Sequence, residues 1–179
     1  SDPSAIAPLI TTGAVDIAAC PLNLAATLYK KTGGKIKMLA VNTLGVLYIL
    51  EKGQTFTTVS ELKGKTIVTS GQGATPEYVL NYILKANGLD PAKDVNVEYK
   101  AEHSEVAALA ASGEADICML PEPFVTTVTG KNPALRIALD LTALWETAAR
   151  QEGKESKLAM GCIIAAGDFA DKYPAAVDT

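Results

Sequence analysis

The chain has 179 residues, 48% of them hydrophobic and 20% charged, so it can bury a core and lacks the composition of a disordered segment. Sixteen Lys and Arg residues against twenty Asp and Glu residues give a formal net charge of -4, and no basic run is interleaved with aromatic residues, so no nucleic-acid partner is expected. The longest apolar runs, VLYIL and CIIAA, are far shorter than the roughly 18 residues that cross a membrane, so no membrane span is expected within this sequence.

Helical and strand-like segments alternate along the chain. Helices are predicted at residues 5–12, 22–32, 75–87, 104–113, 122–128, 142–152 and from 168 onward, and strands at residues 15–19, 36–41, 46–50, 65–70, 95–99, 115–120, 135–141 and 161–166. The helix at 75–87 has one apolar face, formed by Val79, Leu80, Ile83 and Leu84. This alternation predicts an α/β fold with mostly parallel sheets.

The sequence contains an internal repeat. TGAVDI at residues 12–17 matches SGEADI at residues 112–117, and Pro21 matches Pro121. Each copy follows an alanine-rich helix and precedes a further helix and strand. We interpret the repeat as two similarly built lobes, although strand–helix–strand units also come to resemble one another by convergence.

The two copies are unequally complete. A strand, a helix and a second strand, at residues 65–99, precede the helix of the second copy, whereas only the helix at 5–12 precedes Gly13 in the first. The chain also stops as a helix opens after Tyr173 and Pro174. We therefore expect the sequence to be a fragment of a longer protein, cut at both ends.

The residue types that most often carry catalysis are few and scattered. The three cysteines lie in apolar surroundings without a metal-binding spacing, which indicates buried, unreactive thiols. His103, the sole histidine, stands at a predicted helix start with no nucleophile or acid arranged around it, so we expect a surface capping role. Asp16 and Asp116 occupy equivalent positions in two lobes and cannot face one another as an acid/base pair. No metal, cofactor or enzymatic activity is expected.

Three segments, taken together, resemble a known family. They are ELKGKTIVTSGQGATPEYVLNYILKANGLDPAKDVNVEY, LAASGEADICMLPEPFV and GCIIAAGDFADKYPAAV. As an ordered set they resemble the solute-binding proteins of ABC importers in the sulfonate, taurine, nitrate and thiamine-precursor group, and the similarity covers essentially the whole chain.

This resemblance implies a bilobed type II periplasmic-binding-protein fold with a solute held between the lobes. It assigns residues 1–45 and 166–179 to a partial first lobe, residues 46–50 and 161–165 to two hinge crossover strands, and residues 51–160 to a complete second lobe.

A glycine-rich turn between a strand and a helix is the best candidate for solute binding. In SGQGATP, small residues let backbone N–H groups point outward, and the helix start that follows suits a small anion. The alternative is that the glycines only permit a tight connection. The family resemblance also implies solute contacts at this turn, so the predicted residues are Gln72, Gly73, Ala74 and Thr75.

Further candidates follow from the same geometry in both copies of the repeat. They are Pro21, Leu22 and Asn23 at one helix start, Glu122 and Phe124 at the other, and Asn42 and Thr43 at the end of a strand. Each has a structural alternative: Asn23 and Glu122 could cap or complement their helices, Phe124 could belong to the core, and Asn42 with Thr43 could form a solvated turn. Otherwise Glu122 would meet an ammonium-like group of a zwitterionic solute. Tyr48 could be either core or cleft wall, and Trp145 is expected to pack.

The resemblance implies a solute-binding component of an ABC importer that captures a small polar or anionic solute and delivers it to permease subunits. We expect an extracytoplasmic location, with contact to the membrane only through a lipid anchor or the permease. Two alternatives share the architecture: an enzyme similar to menaquinone-pathway or thiamine-precursor synthases, and the effector domain of a transcription regulator.

Overall fold

The computed structural model of the protein describes residues 5–177; residues 1–4 and 178–179, which are predicted to belong to the first lobe, lie outside the described part. The chain forms two compact units. Unit 1 runs up to Leu44 and resumes at Ala159, and unit 2 runs from Gly45 to Leu158. The chain therefore passes from one unit to the other twice, at Leu44–Gly45 and at Leu158–Ala159.

Strands and helices alternate through most of the chain, as predicted. In chain order they are α1 (Ile6–Thr11), β1 (Ile17–Pro21), α2 (Leu22–Lys31), β2 (Ile36–Leu44), β3 (Leu47–Lys52), a 3-10 helix (Val59–Leu62), β4 (Thr66–Ser70), α3 (Thr75–Ala86), β5 (Asn96–Lys100), α4 (His103–Ser112), β6 (Ile117–Pro121), α5 (Phe124–Lys131), β7 (Leu135–Asp140), α6 (Leu141–Gln151), β8 (Ala159–Ala166), α7 (Gly167–Lys172) and α8 (Pro174–Val177). In the part of the chain that the structure describes, no helix is both long and apolar enough to cross a bilayer.

A three-stranded sheet forms the centre of unit 1. Strand β8 lies between β1 and β2 and is antiparallel to both. The predicted parallel pairing is wrong here, because the returning strand β8 enters between the first two strands in the opposite direction. Helices α1 and α2 pack on this sheet, and the core they share with it consists of Ile10, Cys20, Ala25, Leu28, Ile36, Cys162 and Ile164.

Unit 2 contains a five-stranded mixed sheet in the order β5-β4-β6-β3-β7. Strand β4 is parallel to β5 and β6, as predicted, whereas β3 is antiparallel to both of its neighbours. One core of this unit consists of Leu50, Val68, Val106, Ala110, Ala115, Cys118, Leu120, Val125, Val128 and Leu135. The α/β fold class is therefore correct for both units.

Helix α3 has the buried face that its sequence predicts. The four apolar residues at helical spacing, Val79, Leu80, Ile83 and Leu84, are each at most 1% exposed. The sequence favours Thr75 as the N-cap and Pro76 as the first helical residue, but the helix begins one residue earlier: Ala74, with an extended backbone, is the N-cap, so Thr75 and Pro76 are the first two helical residues. Proline is tolerated there because the first turn needs no N–H from it.

The two copies of the repeat adopt the same local structure. Gly13 and Gly113 both have a positive φ, at 75° and 79°. Each ends a helix by the same pair of hydrogen bonds: Ala14 and Val15 donate to the Leu9 carbonyl, and Glu114 and Ala115 donate to the Leu109 carbonyl. The carbonyl groups of Asp16 and Asp116 accept hydrogen bonds from Ala166 and Lys52, on β8 and β3 respectively. The sequence repeat therefore corresponds to a structural repeat.

The segments predicted as hinge crossovers lie inside the sheets of their own units. Residues 46–50 fall mostly in β3, which pairs with β6 and β7, and residues 161–165 fall in β8, which pairs with β1 and β2. The passages between units come just before each of these strands. A hinge role for these segments stays a prediction.

Two glycine-to-alanine substitutions are expected to change stability in opposite directions. Gly113→Ala places a side chain on a left-handed residue and should lower the free energy of unfolding by about 1–2 kcal/mol. Gly130→Ala, within α5, meets nothing within 4 Å and should raise it by about 0.5–1 kcal/mol. Urea unfolding of both variants tests the pair, and equal midpoints would contradict the assigned backbone conformations.

Candidate functional site

Four helices of unit 2 begin at one edge of its sheet. Strands β4, β5, β6 and β7 all run in one direction, so their carboxyl ends meet at the same edge. Helices α3, α4, α5 and α6 each begin within five residues of the preceding strand's end. In open α/β sheets such an edge is where ligands bind, because helix N-termini and the polar residues that follow the strands collect there.

The glycine-rich turn between β4 and α3 has a defined backbone shape. Gly71 and Gly73 have φ values of 81° and 74°, and a Cβ on Gly71 would lie 2.9 Å from Cγ of Pro76. The Ala74 N–H donates to the Gly71 carbonyl at 3.1 Å and closes the turn. Glycine is therefore required at residue 71 by both its conformation and the close approach of Pro76.

One backbone N–H of this turn already donates to a carboxylate. The Gly73 N–H donates to Oε2 of Glu77 at 2.6 Å, and the Tyr78 hydroxyl donates to the Gly73 carbonyl at 3.1 Å. Of the predicted residues, Gln72 and Gly73 are exposed, whereas Ala74 and Thr75 are half-buried. The turn thus presents an N–H in a position that suits an anionic oxygen, with Glu77 as its present partner.

The prediction that His103 caps a helix at the surface is wrong, because His103 belongs to a half-buried cluster. Its Nδ1 lies 2.5 Å from Oγ of Ser70, the last residue of β4, which is 2% exposed. The His103 ring also lies 5.8 Å from the ring of Phe124. Burial lowers the pKa of His103 below its ordinary value, although Glu102 opposes the shift. A neutral imidazole therefore stands beside the glycine-rich turn.

Glu122 caps the helix that follows it. Its carboxylate accepts hydrogen bonds from the Thr126 N–H at 3.1 Å and the Thr126 hydroxyl at 3.0 Å. Its own N–H donates to the Val46 carbonyl at 2.9 Å. Phe124 is partly buried and packs against the unit 2 core. The structural alternatives for both residues are thus present in the molecule, and a role in solute binding is compatible with the half-buried state of each.

Asp140 joins Glu122 in the surroundings of Tyr48. Tyr48 on β3 pairs in register with Leu120 on one side and Asp140 on the other. Burial raises the pKa of the Tyr48 phenol, and the charges of Asp140 and Glu122 raise it further. Asp140 also caps α6 by accepting from the Thr142 N–H at 2.8 Å. Two carboxylates therefore act on one region of the edge, and only Glu122 is predicted from the sequence.

The predicted residues of unit 1 gather at the corresponding edge of its own sheet. Pro21 ends β1 and Leu22 begins α2, with Asn23 next in that helix. Pro21 and Thr43 both lie opposite Gly161 of β8 in register. A Cβ on Gly161 would lie 2.9 Å from Oδ1 of Asn42. The structure brings Pro21, Asn42 and Thr43 together around Gly161, and their contact with a solute stays a prediction.

The cysteines and Trp145 have the structural roles that the sequence indicates. All three cysteines are buried and free, and burial raises the pKa of Cys118 to about 12. Burial likewise raises the pKa of Cys20 to about 11. Trp145 packs against Tyr82, with ring centroids 4.5 Å apart. These side chains stabilise the fold and are not part of the candidate site.

The fold is that of substrate-binding proteins of ABC transporters. A solved structure of an ABC transporter protein from Parabacteroides distasonis is 25% identical, with a TM-score of 0.77 over 99% of this chain and 57% of that one. The periplasmic aliphatic sulphonate binding protein SsuA of Escherichia coli is 17% identical, with a TM-score of 0.74 over 98% of this chain and 55% of that one. The chain therefore spans little more than half the length of these structures.

The chain belongs to the family described as ABC transporter, phosphonate, periplasmic substrate-binding protein, whose model matches residues 1–152. YtlA of Bacillus subtilis (strain 168) is 33% identical over 63 residues, which are 35% of this chain and 19% of that protein. The resemblance to ABC-importer solute-binding proteins is thereby confirmed. The family is one of periplasmic binding proteins and not of enzymes, so neither the enzyme nor the transcription regulator is supported.

Proposed function

We propose that the protein is the solute-binding component of an ABC importer and that its solute is a small organic phosphonate or sulfonate. The family description names phosphonate, and SsuA of Escherichia coli is named for aliphatic sulphonates. The observation that carries the proposal is the edge of the unit 2 sheet where the Gly73 N–H holds a carboxylate oxygen beside the Ser70–His103 pair.

The anionic end of the solute binds at the glycine-rich turn. Backbone N–H groups and the positive end of the α3 dipole favour an oxyanion, by up to about 2 kcal/mol for one helix start. A solute oxygen that reaches the Gly73 N–H replaces the carboxylate of Glu77. Gln72, Ala74 and Thr75 line the same turn and stay the predicted partners of the remaining oxygens.

His103 supplies a further donor to the same group. A neutral imidazole has one donor and one acceptor nitrogen, and the hydrogen bond at Nδ1 determines which nitrogen carries the proton. When Ser70 donates to Nδ1, Nε2 carries the proton and can donate to an oxyanion. Ser70 is itself buried, so it acts by orienting the ring and not by touching the solute.

Glu122 and Asp140 provide a place for a positive charge on the same solute. Both carboxylates act on the Tyr48 phenol, and Tyr48 lies on β3, the strand between β6 and β7 at this edge. A solute with an oxyanion at one end and an ammonium group at the other would satisfy both parts of the edge. We therefore favour an aminoalkyl phosphonate or sulfonate over one with a purely apolar tail.

Several contacts must act together. Micromolar affinity corresponds to about 8 kcal/mol of binding free energy, which exceeds what one helix start supplies. Pro21, Leu22, Asn23, Asn42, Thr43 and Phe124 stay candidates for the additional contacts. Permease subunits are the proposed partner, and attachment to the membrane by a lipid anchor belongs to the same proposal.

Calorimetric titration of the protein as its gene encodes it tests this function. The titrants are an alkyl phosphonate, the alkyl sulfonate of the same length, their amino-substituted counterparts and the uncharged alcohol. We expect micromolar or tighter binding of at least one charged compound and none of the alcohol. No binding of any of the four charged compounds would contradict the proposal.

Glu122→Gln is expected to change selectivity more than affinity as a whole. The variant removes a negative charge but keeps one carbonyl oxygen that can accept from Thr126, so an aminoalkyl phosphonate should bind about tenfold more weakly. The alkyl phosphonate without an amino group should bind equally well or more tightly. Parallel titrations of the two solutes measure the difference.

A matched control is Glu61→Gln, because Glu61 also caps a short helix through its carboxylate. Glu61 lies before β4, at the opposite end of that strand from the glycine-rich turn. This variant should leave both affinities unchanged. If Glu122→Gln weakened the binding of both solutes equally, Glu122 would act only as a helix cap.

A further inference from the structure

Two of the three cysteines lie directly opposite each other in the sheet of unit 1. Cys20 on β1 pairs in antiparallel register with Cys162 on β8, although 142 positions of sequence separate them. Residues that are directly opposite in an antiparallel pair have side chains on the same face of the sheet, with Cα atoms about 4.5–5.5 Å apart. That separation falls within the range of about 4.4–6.8 Å that disulfide bonds span.

The two thiols share one core. Both cysteines are buried, and both belong to the core that α1 and α2 form with the sheet of unit 1. The Cys162 thiol donates to the Cys20 carbonyl, with 3.6 Å between Sγ and the oxygen. Burial, the charge of Cys162 and a hydrogen bond between the two thiols raise the pKa of Cys20 to about 11. The two sulfur atoms are therefore neighbours on one face of the sheet.

We propose that Cys20 and Cys162 form a disulfide bond that joins the two separate chain segments of unit 1. This unit consists of residues up to Leu44 and residues from Ala159 onward, so β1 and β8 belong to different segments. The bond closes a loop that contains the whole of unit 2. A crosslink that closes a long loop restricts the unfolded chain strongly, so this bond should stabilise the folded protein.

The family and the remaining cysteine fit this pairing. The chain belongs to a family of periplasmic proteins, and the periplasm is an oxidising compartment in which disulfide bonds form and persist. Cys118 lies in the core of unit 2, where its register partners are Leu50 on β3 and Val68 on β4. It should therefore stay a free thiol. The inference depends on the location of the protein and not on the identity of its solute.

The bond forms by exchange with another disulfide, for which oxidised glutathione is the laboratory probe. One protein thiolate attacks the probe and releases one glutathione, and the second protein thiolate displaces the other. Two protein thiols are thereby oxidised to one S–S bond, the probe is reduced to two thiols, and the two cysteine protons pass to the released glutathiones. Only a thiolate attacks, so the raised pKa of both buried cysteines slows this exchange once unit 1 has folded. The bond should therefore form before β1 and β8 are buried.

Refolding under oxidising conditions tests the proposal. The protein is unfolded in guanidinium chloride with a reductant, freed of the reductant and refolded with oxidised and reduced glutathione. It is then alkylated in denaturant, digested and analysed by mass spectrometry. We expect a linked pair of peptides that contains Cys20 and Cys162, together with an alkylated Cys118. Alkylation of all three cysteines, or a bond that includes Cys118, would overturn the proposal.

Thermal unfolding gives a second measurement. The midpoint should be roughly 5–15 °C higher for the oxidised protein than for the reduced protein. Cys118→Ala should retain this difference, whereas Cys20→Ala should abolish it, and a difference that persists in Cys20→Ala would contradict the assigned bond. If Cys20→Ala fails to fold, the peptide map of the wild-type protein decides alone. Neither measurement uses a solute, so failure of the disulfide leaves the proposed function intact.

Discussion

Arg136→Ala is expected to lower the free energy of unfolding by about 3–5 kcal/mol, because it leaves a buried carboxylate without its ion pair. Glu51 is 1% exposed, and its Oε2 accepts a hydrogen bond from Nη2 of Arg136 at 2.5 Å. The same guanidinium donates to the carbonyl groups of Gly53 and Phe56. Removing it takes the Arg136 donor from three acceptors and leaves the buried carboxylate without its counter-charge, although Thr55 still donates to Oε1 of Glu51. Urea unfolding at pH 7 measures the loss, and a change below about 1 kcal/mol would contradict the assigned pair.

The stability lost in Arg136→Ala should become smaller as the pH falls. Burial by itself would raise the pKa of Glu51, but hydrogen bonds from Thr55 and the pair with Arg136 outweigh burial and lower it. A carboxyl group whose pKa is lower in the folded than in the unfolded state stabilises the fold at pH values above its unfolded pKa. This stabilisation is lost as the pH falls through the folded pKa. In Arg136→Ala the guanidinium that lowers the pKa of Glu51 is absent, so Glu51 protonates at a higher pH. The loss of unfolding free energy relative to wild type should therefore be smaller at pH 4 than at pH 7.

Arg150→Ala provides the matched control for charge. Arg150 is exposed, and its replacement should change stability by less than about 0.5 kcal/mol at either pH. Glu51→Gln combined with Arg136→Ala should cost less than the sum of the single changes, because the two side chains share one interaction. A simple sum would indicate that the two groups act independently.

Local sequence signals predicted the elements of unit 2 well. The buried face of α3 follows from apolar residues at helical spacing. The glycine-rich turn follows from a strand, two glycines and a proline in the first turn of the helix that comes next. These patterns are decided within a dozen residues, so they survive any change in how the strands are arranged. The internal repeat also predicted a shared local structure, which the hydrogen bonds of Gly13 and Gly113 have in common.

Strand direction and side-chain partners depend on contacts that are remote in sequence. Strand β8 looks like any other apolar strand, and its antiparallel place between β1 and β2 follows only from the path of the chain through unit 2. His103 was expected at the surface because its partner Ser70 is 33 residues away and becomes adjacent only when β4 and β5 pair. A prediction of that pairing would have brought the end of β4 and the start of α4 to the same edge.

Glu51 and Asp140 illustrate a second limit of sequence reasoning. Both are acidic residues near strand ends, where solvated side chains are the usual outcome. Glu51 is instead buried by Thr55 and Arg136, and Asp140 caps a helix beside Tyr48. One stabilises the fold and the other belongs to the candidate site, and no local pattern distinguishes them. The difference lies in which end of the sheet each residue occupies.

His103→Ala is expected to weaken the binding of an alkyl sulfonate by roughly ten- to a hundredfold, because a hydrogen bond to a charged group contributes about 1.5–3 kcal/mol. Ser70→Ala should weaken it less, since the imidazole remains but loses the partner that orients it. A sulfonate is the suitable probe because it does not titrate near neutral pH. Calorimetric titration of the two variants and the wild type gives the three affinities.

The pH dependence separates a solute contact from a purely structural role. Burial lowers the pKa of His103, so the ring is neutral at pH 7 and gains a positive charge only as pH falls below its ordinary range. Wild-type affinity for the sulfonate should therefore rise toward pH 5, because the charged ring attracts the anion, and His103→Ala should lack this rise. His103→Asn, which retains a side-chain donor, should recover part of the affinity at pH 7 without the pH dependence. Equal affinities at pH 7 together with identical pH profiles for wild type and His103→Ala would exclude His103 from the solute site.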